Sequence, residues 1–408
     1  MGFFETLTSD PTLWLIPLIA GIVGWFTNVL AVKMMFKPTE FIGIPPYLGW
    51  QGIVPANAVR LATTGLNLVM SKVLAIKDLF VDFDAAGFVD RESDKITQMV
   101  RKTVSEQAEE LFPAMWKNMN DKVKDQVYAM AESEVRKLSI EVMGEAADKI
   151  GDFLDVEAIV VNAIKRDKEL MGDIFLRVGG AEFKFIERSG FWFGLAFGVV
   201  QLVVWVVYPQ WWVLPFFGFL VGYATNWLAL WLIFEPKTPK RFVGVTVHGL
   251  FHRRQEAISG EFSVIMSQQI LSTDNIFGEI SLGESRHGLL NIVRDKSKKL
   301  IERYKNNPMA KPLFASGKAD EIEAKLLAEI ESEMFAEQGV IHSFVDKADD
   351  IRTQLRERMS VMPADDFEGV LRPAFKQDEW KLILAGAVLG LGAGVAQLFF
   401  LFYETLAP

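Results

Sequence analysis

The chain has 408 residues, half of them hydrophobic and 23% charged, with a formal net charge of −9, four histidines and no cysteine. That length holds two or three ordinary domains, but uncharged apolar runs alternating with charged stretches exclude a single soluble globule. The missing cysteine removes disulfide, thiolate and cysteine–metal chemistry, and the acidic balance argues against a nucleic-acid binder.

In chain order the apolar runs cover residues 13–36, 191–208, 211–234 and 382–402. As a helix, each is long enough to cross about 30 Å of hydrocarbon. Tyr208-Pro209-Gln210 makes the middle pair a tight hairpin. Buried helices of a soluble core are the alternative, but such helices seldom lack charge over about 18 residues. The first run does not read as a secretory signal, because no basic region precedes it and no A-x-A-like site follows. With four spans, residues 1–12, 209–210 and 403–408 share one side; they hold Glu5, Asp10 and Glu404 and no Lys or Arg. All 43 cations lie between Lys33 and Lys381. The positive-inside rule then predicts both charged regions in the cytoplasm and both termini outside.

Between the spans the chain reads as helix. Ile96, Met99, Val100, Val104, Ala108, Leu111 and Phe112 recur at helical spacing, as do Val123, Val127, Met130 and Val135. In the second half Ile322, Leu326, Ile330 and Met334 step by four, and Ile351, Leu355 and Met359 resume the pattern. These stripes either pack inside a helical bundle, coiled-coil fashion, or dock on a partner or second protomer. Few β-branched alternations occur, so no sheet is expected. Residues 33–81 and 235–273 carry net charges of +3 and +2, whereas residues 82–189 and 274–379 carry −7 and −5. Basic stretches directly after spans one and three suit anionic headgroups, with Lys37, Lys237, Lys240, Arg241, Arg253 and Arg254 as candidate contacts. Phe242, Val243, Val245, Leu250 and Phe251, beside Arg253 and Arg254, suggest an interfacial helix or an ordinary amphipathic connector.

The chain repeats itself. Residues 14–38 and 212–236 align without gaps, with ten of 25 positions identical, among them Pro17/Pro215, Gly24/Gly222, Thr27/Thr225, Asn28/Asn226 and Pro38/Pro236. Glu182-x-x-x-Ile186 then matches Glu379-x-x-x-Ile383, and Gly194-x-x-x-Gly198-x-x-Gln201 matches Gly390-x-x-x-Gly394-x-x-Gln397. The expected unit is span, cytoplasmic region, span, stated in residues 1–209 and again in 210–408, with cytoplasmic regions over about 39–189 and 237–380. Two spans per copy make the repeats parallel, related by a pseudo-twofold along the membrane normal.

Thr27-Asn28 and Thr225-Asn226 are unusual inside apolar helices. They either bond across a helix interface or line a shared pathway. Gln201 and Gln397, deeper in spans two and four, could bond to one another or line a pore. Ala20/Gly24, Gly218/Gly222, Gly194/Gly198 and Gly390/Gly394, each pair four apart, allow close backbone approach. Pro17 and Pro215 could kink their spans. No catalytic constellation, metal site or cofactor motif is evident. His248 and His252 are four apart, but the adjacent Arg253-Arg254 argues against a metal there; His287 and His342 read as isolated and exposed. No ionised residue occupies the middle of a span.

The segment from Gly24-Trp25-Phe26-Thr27-Asn28 to Phe36-Lys37-Pro38 resembles the signature of a bacterial membrane family catalogued as domain of unknown function 445. Gln51-Gly52-Ile53-Val54-Pro55, Glu182-x-x-x-Ile186 and the Gly-x-x-x-Gly-x-x-Gln helices are similar to it as well. The resemblance implies a bacterial plasma-membrane protein and brings no catalytic residues. The second copy departs from the signature at Trp231, where the first has Lys33, and at His252, where the first has Pro55. The prediction is therefore an all-α integral membrane protein with four transmembrane helices, two helical cytoplasmic regions and a tandem parallel repeat. Its expected role is that of a non-enzymatic scaffold or tether that forms homo-oligomers in the lipid bilayer, without cofactor, its protein partner unidentified. An oligomeric conduit for lipid or small solutes is the runner-up.

Overall fold

The computed structural model describes residues 11–401 apart from 45–47, 74–75, 243–244, 283, 306–318, 337–338, 347, 373–375 and 377–378. A 3-10 turn, Pro11–Trp14, leads into α1, Leu15–Phe36. Pro17 stands in the first turn of α1, where its missing N–H is no loss. Lys37 is extended before Pro38, as a residue preceding proline tends to be, and the helix stops there. A hairpin of β1 (Ile42–Ile44) and β2 (Leu48–Trp50) follows, then α2 (Ala58–Lys72), α3 (Ser93–Leu111), α4 (Asp121–Asp148), α5 (Leu170–Val178) and α6 (Gly180–Val207). The second half opens with α7 (Val213–Phe234), which ends at an extended Glu235 before Pro236. A second hairpin, β3 (Lys240–Phe242) and β4 (Val245–Val247), precedes α8 (Gln255–Ile265), α9 (Glu284–Lys305), α10 (Ala319–Met334), α11 (Ala364–Leu371) and α12 (Glu379–Leu401).

Among the described residues four helices are long and apolar enough to cross a membrane: Pro11–Phe36, Gly180–Val207, Val213–Phe234 and Glu379–Leu401. The second begins 11 residues before the predicted run, because the charged stretch from Glu182 to Arg188 continues the same helix. The two hairpins correct the expectation of no sheet. Val245-Thr246-Val247 is a β-branched run, and Gly43 takes φ 141°, a conformation that side chains resist. The interfacial helix expected across 242–251 is instead this second hairpin followed by a one-turn helix, Leu250–Arg253. Val243 and the side chains of Phe242, Val245, Ile322 and Leu326 lie outside the described residues, as do residues 1–10 and 402–408 used to orient the chain.

The halves 1–209 and 210–408 do not form separate compact units. One unit gathers Met1–Val73, Val160–Ile265 and Leu355–Pro408, the other Leu74–Ile159 and Met266–Gln354. The reason is that apolar stripes from one half are buried on the other. In the first unit α1 packs on α6, α7 on α12, α6 on α7 and α1 on α12, closing a four-helix bundle. Its core at one end holds Leu13, Ile16, Leu202, Trp205, Val213, Leu214 and Leu398. Beside the bundle, α2, with Leu61, Leu66 and Val69 buried, packs on α11, and α5, with Met171, Ile174 and Phe175 buried, packs on α8. Each of those pairs takes one helix from either half.

In the second unit α4 packs on α3 and α9, and α10 on α3. Phe344 is fully buried among the rings of Phe80, Phe83 and Phe88 at 5.0, 5.1 and 6.1 Å. Ile96, Val100 and Met334 of the predicted stripes are buried, whereas Val123, Val127 and Met130 are exposed along α4. Hydrogen bonds from Lys149 and Lys296 hold the Glu145 carboxyl at about 2, tying α9 to α4.

Candidate functional site

Glycine carbonyls and Cα atoms meet face to face inside the bundle. A Cβ on Gly24 would strike the Gly190 carbonyl, one on Gly194 the Ala20 carbonyl, and one on Gly198 would lie 2.7 Å from both Ala20 Cβ and Pro17 Cα. In the other pair a Cβ on Gly218 would strike the Gly390 carbonyl, one on Gly222 the Gly386 carbonyl, and one on Gly394 the Leu214 carbonyl. All eight small residues singled out in the sequence thus stand at α1–α6 or α7–α12 contacts. Gly190 and Gly386 extend each row by one turn. They stand four residues before Gly194 and Gly390, so the same spacing runs through all three glycines of each helix.

That close approach positions the amides. Asn28 Nδ2 donates to Ile186 O at 2.6 Å, and Asn226 Nδ2 donates to Leu382 O at 2.9 Å. Ile186 and Leu382 are 196 apart, the spacing of the glycine rows, so the structural match runs one residue off the Ile186/Ile383 match read from sequence. Thr27 and Thr225 turn their hydroxyls back to Gly24 O (3.2 Å) and Gly222 O (3.4 Å). All four side chains are buried. In both asparagines Oδ1 is buried without a hydrogen-bond partner. Gln201 and Gln397 are buried too, and Gln397 Nε2 meets no acceptor, so it does not donate to Gln201.

At the charged ends of the helices, three of the six candidate headgroup cations are engaged by protein carboxylates. Lys37 pairs with Glu169 at 3.0 Å, and Lys237 pairs with Asp365 at 2.6 Å and Glu368 at 3.0 Å. Arg254 Nη1 donates to both oxygens of buried Glu182 at 2.7 Å. Lys240, Arg241 and Arg253 are exposed. Sequence reasoning missed Glu182 and Glu368 as partners, because no local signal links residues 72 or 131 positions away.

Glu368 also pairs with Arg372, and His252 Nε2 approaches it at 3.7 Å. Despite its burial, Arg372 and Lys237 hold the Glu368 carboxyl below the ordinary carboxylate range. The residues 197 positions earlier than His252, Glu368 and Arg372 are Pro55, Met171 and Phe175, so this buried charged cluster belongs to the second half. The His248 and His252 rings stack at 6.2 Å, and His342 is half-buried against Phe277 rather than exposed. Among the described residues no group of three or more His, Asp or Glu side chains is placed to hold a metal ion.

His252 yields a pH prediction. Burial lowers its affinity for a proton against the pull of Glu368, with His248 and Lys237 adding repulsion. Below the ordinary histidine value of 6.5 the unfolded chain binds the proton first, so stability falls as pH drops from there through the lowered folded value. Melting of wild type between pH 7.5 and 5 should shift down, and His252→Leu should flatten that dependence. Equal slopes in the two proteins would remove His252 as the cause.

No protein-family model matches the chain, and no solved structure does. A UPF0754 membrane protein of Microcystis aeruginosa is 40% identical over 74 residues, 17% of this chain and 18% of the relative. One from Synechococcus elongatus is 40% identical over 76 residues, 16% and 18% of the two chains, and one from Nostoc punctiforme 36% identical over 74 residues, again 16% and 18%. The matches thus span 18% of the length of these curated relatives. Over one short segment the chain is similar to proteins named as membrane proteins, and its described residues include four helices long and apolar enough to cross a bilayer.

Proposed function

We propose that the chain is a non-enzymatic protein of the bacterial inner membrane, a helical scaffold or tether that assembles with copies of itself. A tandem pair of spans anchors helical regions in the cytoplasm, with both termini outside, and the family resemblance to domain of unknown function 445 belongs to this reading. One observation carries it: the N–H groups of Asn28 and Asn226 and the hydroxyls of Thr27 and Thr225 donate to neighbouring backbone carbonyls, Asn28 to Ile186 and Asn226 to Leu382, in the same way in both halves. Inter-helix bonds of this kind fix register and are worth about 0.6–2 kcal/mol. The matching contacts at a spacing of 196 support a duplicated unit. Exposed Met115, Val123, Val127 and Met130, outside the apolar helices, supply the assembly surface.

The conduit reading draws on a different observation, the unpartnered Oδ1 of each asparagine and Nε2 of Gln397, polar atoms that water or solute could satisfy. Asn28→Leu with Asn226→Leu separates the two. Packing predicts a protein that melts earlier and loses its oligomeric state in nanodiscs. Unchanged stability and assembly with loss of solute or lipid flux would overturn the scaffold in favour of the conduit.

A further inference from the structure

The two halves differ where their outward surfaces reach the charged ends of the helices. Since Asn28 bonds to Ile186 and Asn226 to Leu382, a residue of α6 and the one 196 later on α12 stand at matched depth. There α6 exposes Lys184 and Arg188, whereas α12 carries Trp380 and Leu384 at the same depths, 59% and 46% exposed. The pair α1 and α7 repeats the contrast, with exposed Lys33 where the second half has exposed Trp231. All three exchanges run one way, from a cation in the first half to an apolar side chain in the second.

None of Lys33, Lys184 and Arg188 makes an ion pair among the described residues. Of the carboxylates near them on α6, Glu182 is held by Arg254 and Glu187 is half-buried. The nearby cation on α12, Lys381, is half-buried and lies over the Trp380 ring. Along α6 the exposed large apolar side chains begin at Trp192, the depth of Val388, and along α12 they begin at Trp380. Val388 and Trp380 are eight residues apart, about 12 Å of helix. Tryptophan collects at the boundary of the hydrocarbon, and a cation inside it is costly. A level boundary therefore fits one side only: at Trp380 it leaves Arg188 in hydrocarbon, and at Trp192 it leaves Trp380 and Leu384 in water.

We propose that lipid headgroup phosphates meet Arg188 and Lys184, so that the headgroup layer is stepped and lies about 12 Å deeper along α6 than along α12. The inference rests on the reading that these helices cross the membrane. Guanidinium and ammonium groups make charge-assisted hydrogen bonds to phosphate, and each cation near the headgroup layer adds attraction for anionic lipid. In the second half Trp231, Trp380 and Leu384 meet acyl chains at the depths where the first half meets phosphates. Tilting of the bundle or thinning of the bilayer beside α6 each produces such a step.

The test uses the full chain in nanodiscs; it has no native cysteine, so Trp192→Cys and Val388→Cys can each carry a nitroxide. Collision with dissolved oxygen against a water-soluble nickel chelate reads depth, and residue 388 should lie about 12 Å deeper than residue 192. Equal depths would overturn the step. Shielding of residue 388 from oxygen as well as nickel would put a protein surface on α12 and overturn it too. Lys184→Trp with Arg188→Leu gives α6 the residues of α12 and should carry residue 192 to the depth of 388, while Arg188→Lys should leave it in place. Should the swapped variant melt early, Lys184→Gln with Arg188→Gln is read in its stead, and an unmoved residue 192 would overturn the role of the cations. Val199→Cys and Val395→Cys, matched in depth and exposed midway along the two helices, report the spanning reading separately. A water-like signal at both sinks the membrane crossing itself; lipid-like signals there with equal depths at 192 and 388 sink the step alone.

Discussion

Gly390→Ala is expected to destabilise the bundle by about 1–3 kcal/mol, the cost of forcing a methyl group into a filled contact, whereas Gly392→Ala is expected to cost nothing. The two positions are separated by one residue, Leu391, on α12. At Gly390 a Cβ would strike the Gly218 carbonyl and come 3.3 Å from Gly222 Cα, and these are backbone atoms that no rotamer change can move aside. At Gly392 nothing lies within 4 Å, and alanine is the better helix former. Reversible unfolding of both variants in one detergent gives the comparison. Similar losses at the two positions would mean that α7 and α12 do not meet through this row.

Arg254→Met is expected to cost about 3 kcal/mol, near the lower end for breaking a buried ion pair. Glu182 is 5% exposed and receives both hydrogen bonds from Arg254, so removing the cation leaves a carboxylate buried without its donor. The Arg254 side chain is itself 36% exposed, and water reaching that side limits the loss. Glu182→Leu added to Arg254→Met should recover most of the stability, because the stranded charge goes with it. A double-mutant cycle in denaturant measures the coupling. Additive losses would show that Arg254 acts through its contact with solvent or headgroups, the role its position beside Arg253 suggests in the sequence.

That case also shows where a sequence stops informing. Hydropathy is a local property, so the four apolar helices were legible from single runs of residues, as was the oddity of an amide within them. The bonding partners of those amides were not, since Ile186 offers only its backbone carbonyl and any residue could stand there. The hairpins escaped notice because strands of three residues are too short for alternation to show. Glycines four apart were readable as close-packing positions, but the carbonyl facing each one depends on how two helices are docked.

By itself, the sequence determined where the apolar helices begin to exclude charge, which positions carry only a hydrogen atom, and where proline halts α1 and α7. Tertiary structure alone decided that α2 lies on α11 and α5 on α8, that Glu182 holds Arg254, and that each compact unit draws on both halves of the chain. The physical reason is range. Helix formation and hydropathy depend on neighbours within a few turns, while burial of an apolar stripe or a carboxylate is settled by whichever surface, however distant in the chain, removes it from water at the lowest free energy.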